Sequence, residues 1–471
     1  MRDGISLILI KARIEKMKTS LIAGVVSATL LFGASNVFAS DSNAHKAQYR
    51  AVLKNELSKN EPGAVALISK EGEVIFKKAI GSANLELKVP LKAKNVFKIG
   101  SISKQFTAAA IMILQERGKL SVHDDIHKYV PDFPTEGHVI TIEQLLTHTS
   151  GLANYTEDRE LMLKEIQAPA TLDEMLARFA AHPMKFQPGD AMAYSNTGYV
   201  LLGKIIEVVS GQSYAEFIDE HIFDKLDMKN SHYAGRQIIK RHVSGYDLSP
   251  EGYVNAGYID MIWPHAAGAL SSNVFDLNIW FTALANGSLI SEQSYQQMIA
   301  PVTLNDGRVS NYGYGLATTT IGEYQAIGHA GGIHGFVSDA VYVPEEELYI
   351  TVLANSTNRN PQVLTQRLAA KALGLKSPSY KEVNLTPQQL QAFEGEYQFE
   401  SGAVRRIVYY EGDLYTQEED GYIAQLSASS SDTLFFDQST AYMSFVTNEQ
   451  GNLVMNLFEN FSDEPRKAVK K

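Results

Sequence analysis

The sequence predicts an α/β (α+β) domain of mixed helices and strands, followed by a small all-β domain. Three observations lead there. The chain has 471 residues, more than one ordinary small domain, and its 45% hydrophobic and 20% charged content is globular, with enough apolar material for a large core. Helical and strand patterns mix up to about residue 380. From Leu385 onward nearly every segment reads as a strand, separated by Gly or Asp turns, as in a sandwich or small barrel.

The elements follow in order. Ala44 to Lys59 reads as a helix. Gly63–Lys70 and Val74–Phe76 form a hairpin about Glu71-Gly72-Glu73. Ser101 to Leu120 is a buried helix carrying Ala108, Ala109, Ala110, Ile111, Met112 and Leu114. Thr141 caps another, with Gln144 at its third position. Tyr199 to Ser210 is apolar and helical. Ala340–Val343 and Leu348–Ala354 are strands joined by Pro344 to Glu347, and Pro361 to Leu373 is a closing helix. Ser377-Pro378-Ser379-Tyr380 reads as a linker, which places the domains at 40–376 and 381–471. A short helix near Pro387–Phe393 precedes strands at Gly395–Phe399, Ile407–Tyr410, Gly412–Tyr415, Leu434–Phe436, Tyr442–Val446 and Leu453–Met455. The Ser-rich run 427–431 is assigned no strand.

Residues 1–39 read as a secretory signal. Met17-Lys18 is a basic start, Leu21–Val26 and Leu30–Phe32 are the apolar stretch, and Val37-Phe38-Ala39 is the small-residue cleavage site. Residues 1–16 look like an upstream extension. The apolar run is short and broken by Gly and Ser, which disfavours a membrane anchor. Export to the periplasm or the medium is the expectation. Losing residues 1–39 removes five basic and two acidic side chains and takes the net charge from −11 to −14. Such acidity disfavours nucleic-acid binding. The absence of cysteine excludes disulfides, thiolate metal sites and Cys nucleophiles.

Phe97-Lys98-Ile99-Gly100-Ser101-Ile102-Ser103-Lys104 carries the strongest chemical signal. On a helix, Ser101 and Lys104 share one face. A desolvated, neutral lysine can take the proton that makes a serine hydroxyl a poor nucleophile. Tyr194-Ser195-Asn196 puts a phenol and an amide at a turn before a helix, suited to proton shuttling and to holding a substrate amide. Gly328-His329-Ala330-Gly331-Gly332-Ile333-His334-Gly335 puts a histidine and several glycines on or beside a strand, where glycines admit a substrate backbone. His334 reads as structural. His123 and His127 lack a third ligand, so no metal is implied.

In this order, the three clusters resemble the serine β-lactamase and penicillin-binding-protein-like superfamily, whose motifs are SxxK, a Tyr/Ser-x-Asn element and a K-T-G element. The likeness is greatest to the class C β-lactamase-related branch and covers roughly residues 45–375. It extends to Leu145–Leu152, Gln187-Pro188-Gly189, Ala267–Ser272 and Gly313–Leu316. The resemblance implies a β-lactamase/transpeptidase-like antiparallel sheet flanked by helices, with a helical subdomain and Ser101 at the junction. It also implies a lipocalin-like C-terminal module, which could cover the cleft, join copies or bind cell wall. It makes Ser101 the acylated nucleophile, with Lys104 and Tyr194 sharing acid–base work. Asn196, His329 and Gly331 become substrate-binding residues, and the backbone N–H groups of Ser101 and Gly332 the oxyanion hole. No cofactor is implied.

One departure matters. The third motif reads His329-Ala330-Gly331, and histidine at an ordinary pKa of about 6.5 is no permanent cation. Relatives with His-x-Gly are more often peptidases or esterases than strong β-lactamases. The expected function is therefore an exported serine hydrolase acting through a covalent acyl-enzyme on amides or esters. Its substrates would be small molecules or peptides, including D-amino-acid peptides from peptidoglycan. A β-lactamase ranks second, and an inactive cell-wall or partner-binding relative is the rival class.

Overall fold

Both faces of the strand Ala64–Lys70 (β1) are apolar and buried, with Val65 and Leu67 on one side and Ala64, Ala66 and Ile68 on the other. A strand of that kind needs a layer packed on each face. The computed structural model describes residues 40–376, 380–419, 421–436 and 439–471. The signal expected at 1–39 and linker residues 377–379 lie outside the described residues. β1 sits in a six-stranded antiparallel sheet with β2 (Glu73–Ile80), β3 (Ala317–Ile321), β4 (Tyr324–Ile333), β5 (Phe336–Val343) and β6 (Leu348–Ala354), in the order β3-β4-β5-β6-β1-β2. The first hairpin therefore lies beside the last strands, Ala64 opposite Ala354 and Lys70 opposite Leu348.

Helices α1 (Ser40–Glu56) and α5 (Pro361–Ala372) cover one face, where Leu53, Leu364 and Leu368 meet Ala66, Ile68 and Val352. The other face carries the helical part of the chain, including α2 (Ser103–Glu116), α3 (Asn196–Ser210) and α4 (Val274–Ala285). There Phe106 stacks on Trp280 with ring centroids 3.9 Å apart. The expected capping box is present, Thr141 Oγ1 accepting from the Gln144 N–H and the Gln144 side chain accepting from the Thr141 N–H.

The helix expected over 101–120 is shorter. Ser101 lies in a 3-10 turn, Gly100–Ile102, and α2 runs from Ser103 only to Glu116. Gly118 takes a left-handed φ of 64°. Its N–H and that of Lys119 bond back to the Gln115 and Leu114 carbonyls, a Schellman ending that stops the helix.

The C-terminal strands close into a barrel of eight: β7 (Gly395–Phe399), β8 (Val404–Tyr410), β9 (Asp413–Glu418), β10 (Ala424–Ser430), β11 (Thr433–Phe436), β12 (Tyr442–Thr447), β13 (Leu453–Phe458) and β14 (Arg466–Lys470). Its interior holds Tyr397, Phe399, Leu414, Leu434, Met443, Met455 and Leu457. Two strands correct the sequence reading. β10 contains the Ser-rich run, and β14 is mostly charged. Each buries few apolar residues (Leu426 and Ala428 in one, Ala468 in the other), and partner strands supply the pairing. β14 closes the barrel on β7, Ala468 opposite Phe399. The barrel reaches the rest of the chain on the α1/α5 side, away from Ser101. Phe461 packs against that core, the Gly322 N–H donates to the Asn460 carbonyl, and Thr440 Oγ1 donates to Gln366 Oε1.

Candidate active site

α2 is apolar all round, and nearly every side chain from Ser103 to Leu114 is buried. Lys104 is carried into this interior with no exposed surface. Its Nζ lies 2.7 Å from Asn196 Oδ1, 2.8 Å from the Ala267 carbonyl oxygen and 3.2 Å from Ser101 Oγ. Burial pushes its pKa well below that of an ordinary lysine. The geometry suits the neutral amine, which has two N–H groups and one lone pair. Asn196 Oδ1 and the Ala267 carbonyl can only accept, so they take the two N–H groups. The lone pair is left for the Ser101 hydroxyl, the one neighbour of the three able to donate.

Tyr194 stands over this group, its ring centroid 4.8 Å from Lys104 Nζ. Its hydroxyl is buried and has no partner at hydrogen-bonding distance. Burial pushes the phenol pKa up, and the nearby Ser101 hydroxyl offsets only part of that. Tyr194 is therefore protonated at neutral pH. The loop that presents it is pinned on both sides by His148. The His148 carbonyl accepts the Ala193 N–H at 3.0 Å, and its Nδ1 accepts the Ser195 N–H at 3.1 Å. His148 has a left-handed φ of 59°, and its ring packs on Tyr194 at 4.2 Å. Burial keeps its imidazole neutral.

Asn196 begins α3, three residues ahead of the Tyr199 start expected from the sequence. Expected to hold a substrate amide, it is instead turned onto Lys104. Its Nδ2 donates to Asn154 Oδ1 and Thr156 Oγ1, each at 3.3 Å, so both ends of its amide are engaged inside the site.

His329 lies on β4 with its ring in the same pocket, 6.1 Å from the Tyr194 ring. Tyr312 Oη donates to its Nε2 at 2.8 Å, and its Nδ1–H donates to the Ala330 carbonyl. Burial lowers its pKa to about 4. It is therefore neutral at pH 7, with neither ring nitrogen free for a substrate carboxylate.

Gly331 also departs from expectation. A Cβ there would meet the Ile99 carbonyl oxygen at 2.0 Å and Ser338 Oγ at 2.4 Å. The residue is buried, so its bareness lets β4 close on the turn before Ser101 and not on a substrate. Ser338 Oγ donates to the Ile99 carbonyl at 2.9 Å and ties that turn to β5. Gly332 is exposed, with open space where a Cβ would be. Its backbone N sits beside the same turn, 2.8 Å from where a Cβ on Gly100 would fall. The backbone of Gly332 and the start of the Ser101 turn thus meet at one point. His334 is structural, Nδ1 meeting the Gly257 carbonyl at 3.1 Å.

Among the participants that escaped the sequence reading are Tyr312, Asn154, Thr156, Ser338 and the Ala267 carbonyl. Tyr312 adjoins the family-like phrase Gly313–Leu316, and Ala267 opens another such phrase, so the neighbourhood was marked but not the atoms.

A serine and a desolvated lysine thus share one pocket with a phenol above them and a bare strand alongside. The family model described as Beta-lactamase matches residues 45–374. The chain belongs to that family. It is 26% identical over 437 residues to "Penicillin-binding protein 4*" of Bacillus subtilis, covering 86% of this chain and 95% of that one. It is 27% identical over 354 residues to a D-aminopeptidase of Gluconobacter oxydans, covering 74% of this chain and 65% of that one. Among solved structures, the octameric penicillin-binding protein homologue from Pyrococcus abyssi superposes with a TM-score of 0.64 at 27% identity, covering 91% of this chain and all of that one. The protein is a serine hydrolase of the Beta-lactamase family.

Proposed function

We propose that this protein is an exported hydrolase that acylates Ser101 and cleaves amides or esters, with D-amino-acid peptides of cell-wall type as its substrates. The observation that carries this is the coordination of Lys104 Nζ, whose lone pair has only the Ser101 hydroxyl to accept from. Lys104 takes the Ser101 proton as Oγ attacks the substrate carbonyl, and an Oγ–C bond forms. The oxyanion is held by the N–H groups of Ser101 and Gly332, each such donor contributing about 2.7–4 kcal/mol in comparable sites. The proton passes from Lys104 by way of the Tyr194 hydroxyl to the leaving nitrogen or oxygen as its bond to carbon breaks. Water then attacks the ester by the same route in reverse and restores the free serine. The raised Tyr194 pKa favours Lys104 as first base and Tyr194 as relay.

The D-aminopeptidase and penicillin-binding protein among the relatives support the substrate class. The engaged, neutral His329 argues against strong β-lactam hydrolysis, because the motif offers no cation to the β-lactam carboxylate. A fluorophosphonate should add one phosphonyl group to the protein by intact mass, and none to Ser101→Ala of unchanged circular dichroism. A label that persists in that variant removes Ser101 from the mechanism. A panel of nitrocefin, a D-Ala-D-Ala peptide and short p-nitrophenyl esters assigns the activity. Silence on all three, with no adduct, favours a binding protein.

A further inference from the structure

Three residues before Ser101, Lys98 points a second ammonium away from Lys104's group. It lies in a two-residue strand, Phe97–Lys98, paired with Ser271 and Ser272. Its Nζ sits 5.9 Å from the centroid of the Phe336 ring, at the range of a cation–π contact. No carboxylate among the described residues forms an ion pair with it. It lines a cavity of about 560 Å³ with Tyr233, Arg236, His242, Tyr258 and Asp260.

The polar groups of that cavity are mostly spoken for. Asp260 accepts from Arg236 at 3.3 Å, from the Ile262 N–H at 3.1 Å and from the Tyr258 hydroxyl at 3.5 Å. The Tyr233 hydroxyl donates to the Met261 carbonyl. His242 is held neutral by burial and then by the Lys98 charge, its pKa lowered to about 4. Lys98 and Arg236 against Asp260 leave the cavity one net positive charge, and Lys98 is its unpaired cation. Burial without a partner lowers the Lys98 pKa, a cost that an incoming anion would relieve.

Position says what the anion belongs to. On β4, His329 stands three residues before Gly332, beside Tyr194. Ile333 follows Gly332, opposite Phe336, over whose ring Lys98 lies. Gly332, the proposed oxyanion donor, is between them. A leaving group departs toward its proton donor, here Tyr194, so the acyl portion extends the opposite way, toward Phe336 and Lys98.

We infer that the cavity at Lys98 is a subsite for a carboxylate carried on the acyl portion of the substrate. This rests on the acyl-transfer reading above. It would recognise an anion at the opposite end of the substrate from His329, and would select acidic acyl chains.

The test compares two esters of equal chain length, mono-p-nitrophenyl glutarate and p-nitrophenyl pentanoate, on the full chain. The wild type should prefer the glutarate in kcat/KM. Lys98→Met, which keeps the aliphatic stem, should lose about 10-fold or more of that preference, as expected for one charge-assisted contact, with the pentanoate little changed. Lys98→Arg should retain the preference. Equal loss on both esters in Lys98→Met, or no preference in the wild type, overturns the subsite. A second measurement needs no turnover. In Ser101→Ala, glutarate should shift the His242 ring resonances in NMR spectra, and the added Lys98→Met change should abolish the shift. If no ester turns over but glutarate binds through Lys98, the subsite stands and the hydrolase reading falls. If esters turn over without carboxylate preference, the reverse holds.

Discussion

Asn196→Asp tests the proposed base most directly. The substitution is nearly isosteric and puts a carboxylate oxygen where Asn196 Oδ1 now lies, 2.7 Å from Lys104 Nζ. At that separation, with an effective dielectric constant of about 20, opposite unit charges attract by about 6 kcal/mol. At about 1.4 kcal/mol per pH unit, this raises the Lys104 pKa by about 4 pH units. Desolvating the new carboxylate opposes the pair, and if it cancels half the attraction about 2 pH units remain. The neutral amine is the active form, so wild-type acylation rises with pH through the Lys104 pKa and then levels. Burial lowers that pKa in the wild type, which brings the rising limb down from the ordinary lysine range. In Asn196→Asp the limb moves to alkaline pH, and the rate at pH 7 falls, by at most about 100-fold for a shift of about 2 pH units. The assay is the second-order rate of fluorophosphonate labelling from about pH 5 to 10. Asn196→Ala, which removes the hydrogen bond without adding charge, serves as control. An Asp variant with the wild-type limb, merely scaled down, would mean that Lys104 does not receive the serine proton.

Other expectations follow from single contacts. Tyr312→Phe removes the donor to His329 Nε2 and leaves a buried acceptor unpaired, so thermal or urea unfolding should show a loss of about 1–3 kcal/mol, and the His329 pKa, read by NMR, should rise. Gly331→Ala drives a methyl into the Ile99 carbonyl and Ser338 Oγ, and should cost about 1–3 kcal/mol and most of the labelling at Ser101, whereas Gly332→Ala meets open space and should keep its Tm. An unchanged Tm in Gly331→Ala contradicts that packing. Asp339 is buried and its pKa is raised to about 7, so the folded state holds a proton that the unfolded chain releases near its ordinary value of 3.8. Stability should therefore decline as pH rises from about 4 to about 7, by at most about 1.4 kcal/mol per pH unit, and Asp339→Asn should flatten that part of the curve. A wild-type stability curve already flat there removes Asp339 as its cause.

Much of this molecule is written in short-range pattern. Ser101 and Lys104 lie three apart, and a helical start is enough to bring them together. The Thr141–Gln144 capping box and the β1–β2 hairpin are likewise local, each set by side chains within a few residues of one another. The weaker strands escaped for the same reason. Ala424–Ser430 and Arg466–Lys470 have too few apolar side chains to mark a face, and they are strands because neighbours far along the chain offer them hydrogen bonds.

The sequence by itself determined the chemical alphabet of the site, the family resemblance and the apolar runs that mark the buried elements. Those depend on residue type and local period, which the chain states outright. Only the tertiary structure decided the protonation states and the partners. The Ala267 carbonyl is an acceptor that every residue owns, and nothing in a side chain marks it for Lys104. Tyr312 meets His329 because β4 and the loop before β3 converge, and Gly331 faces the Ile99 turn because β4 closes on it. Lys104 has a lowered pKa because burial strips its water and, among the described residues, no carboxylate pairs with it. That absence belongs to the packed neighbourhood and to no single residue.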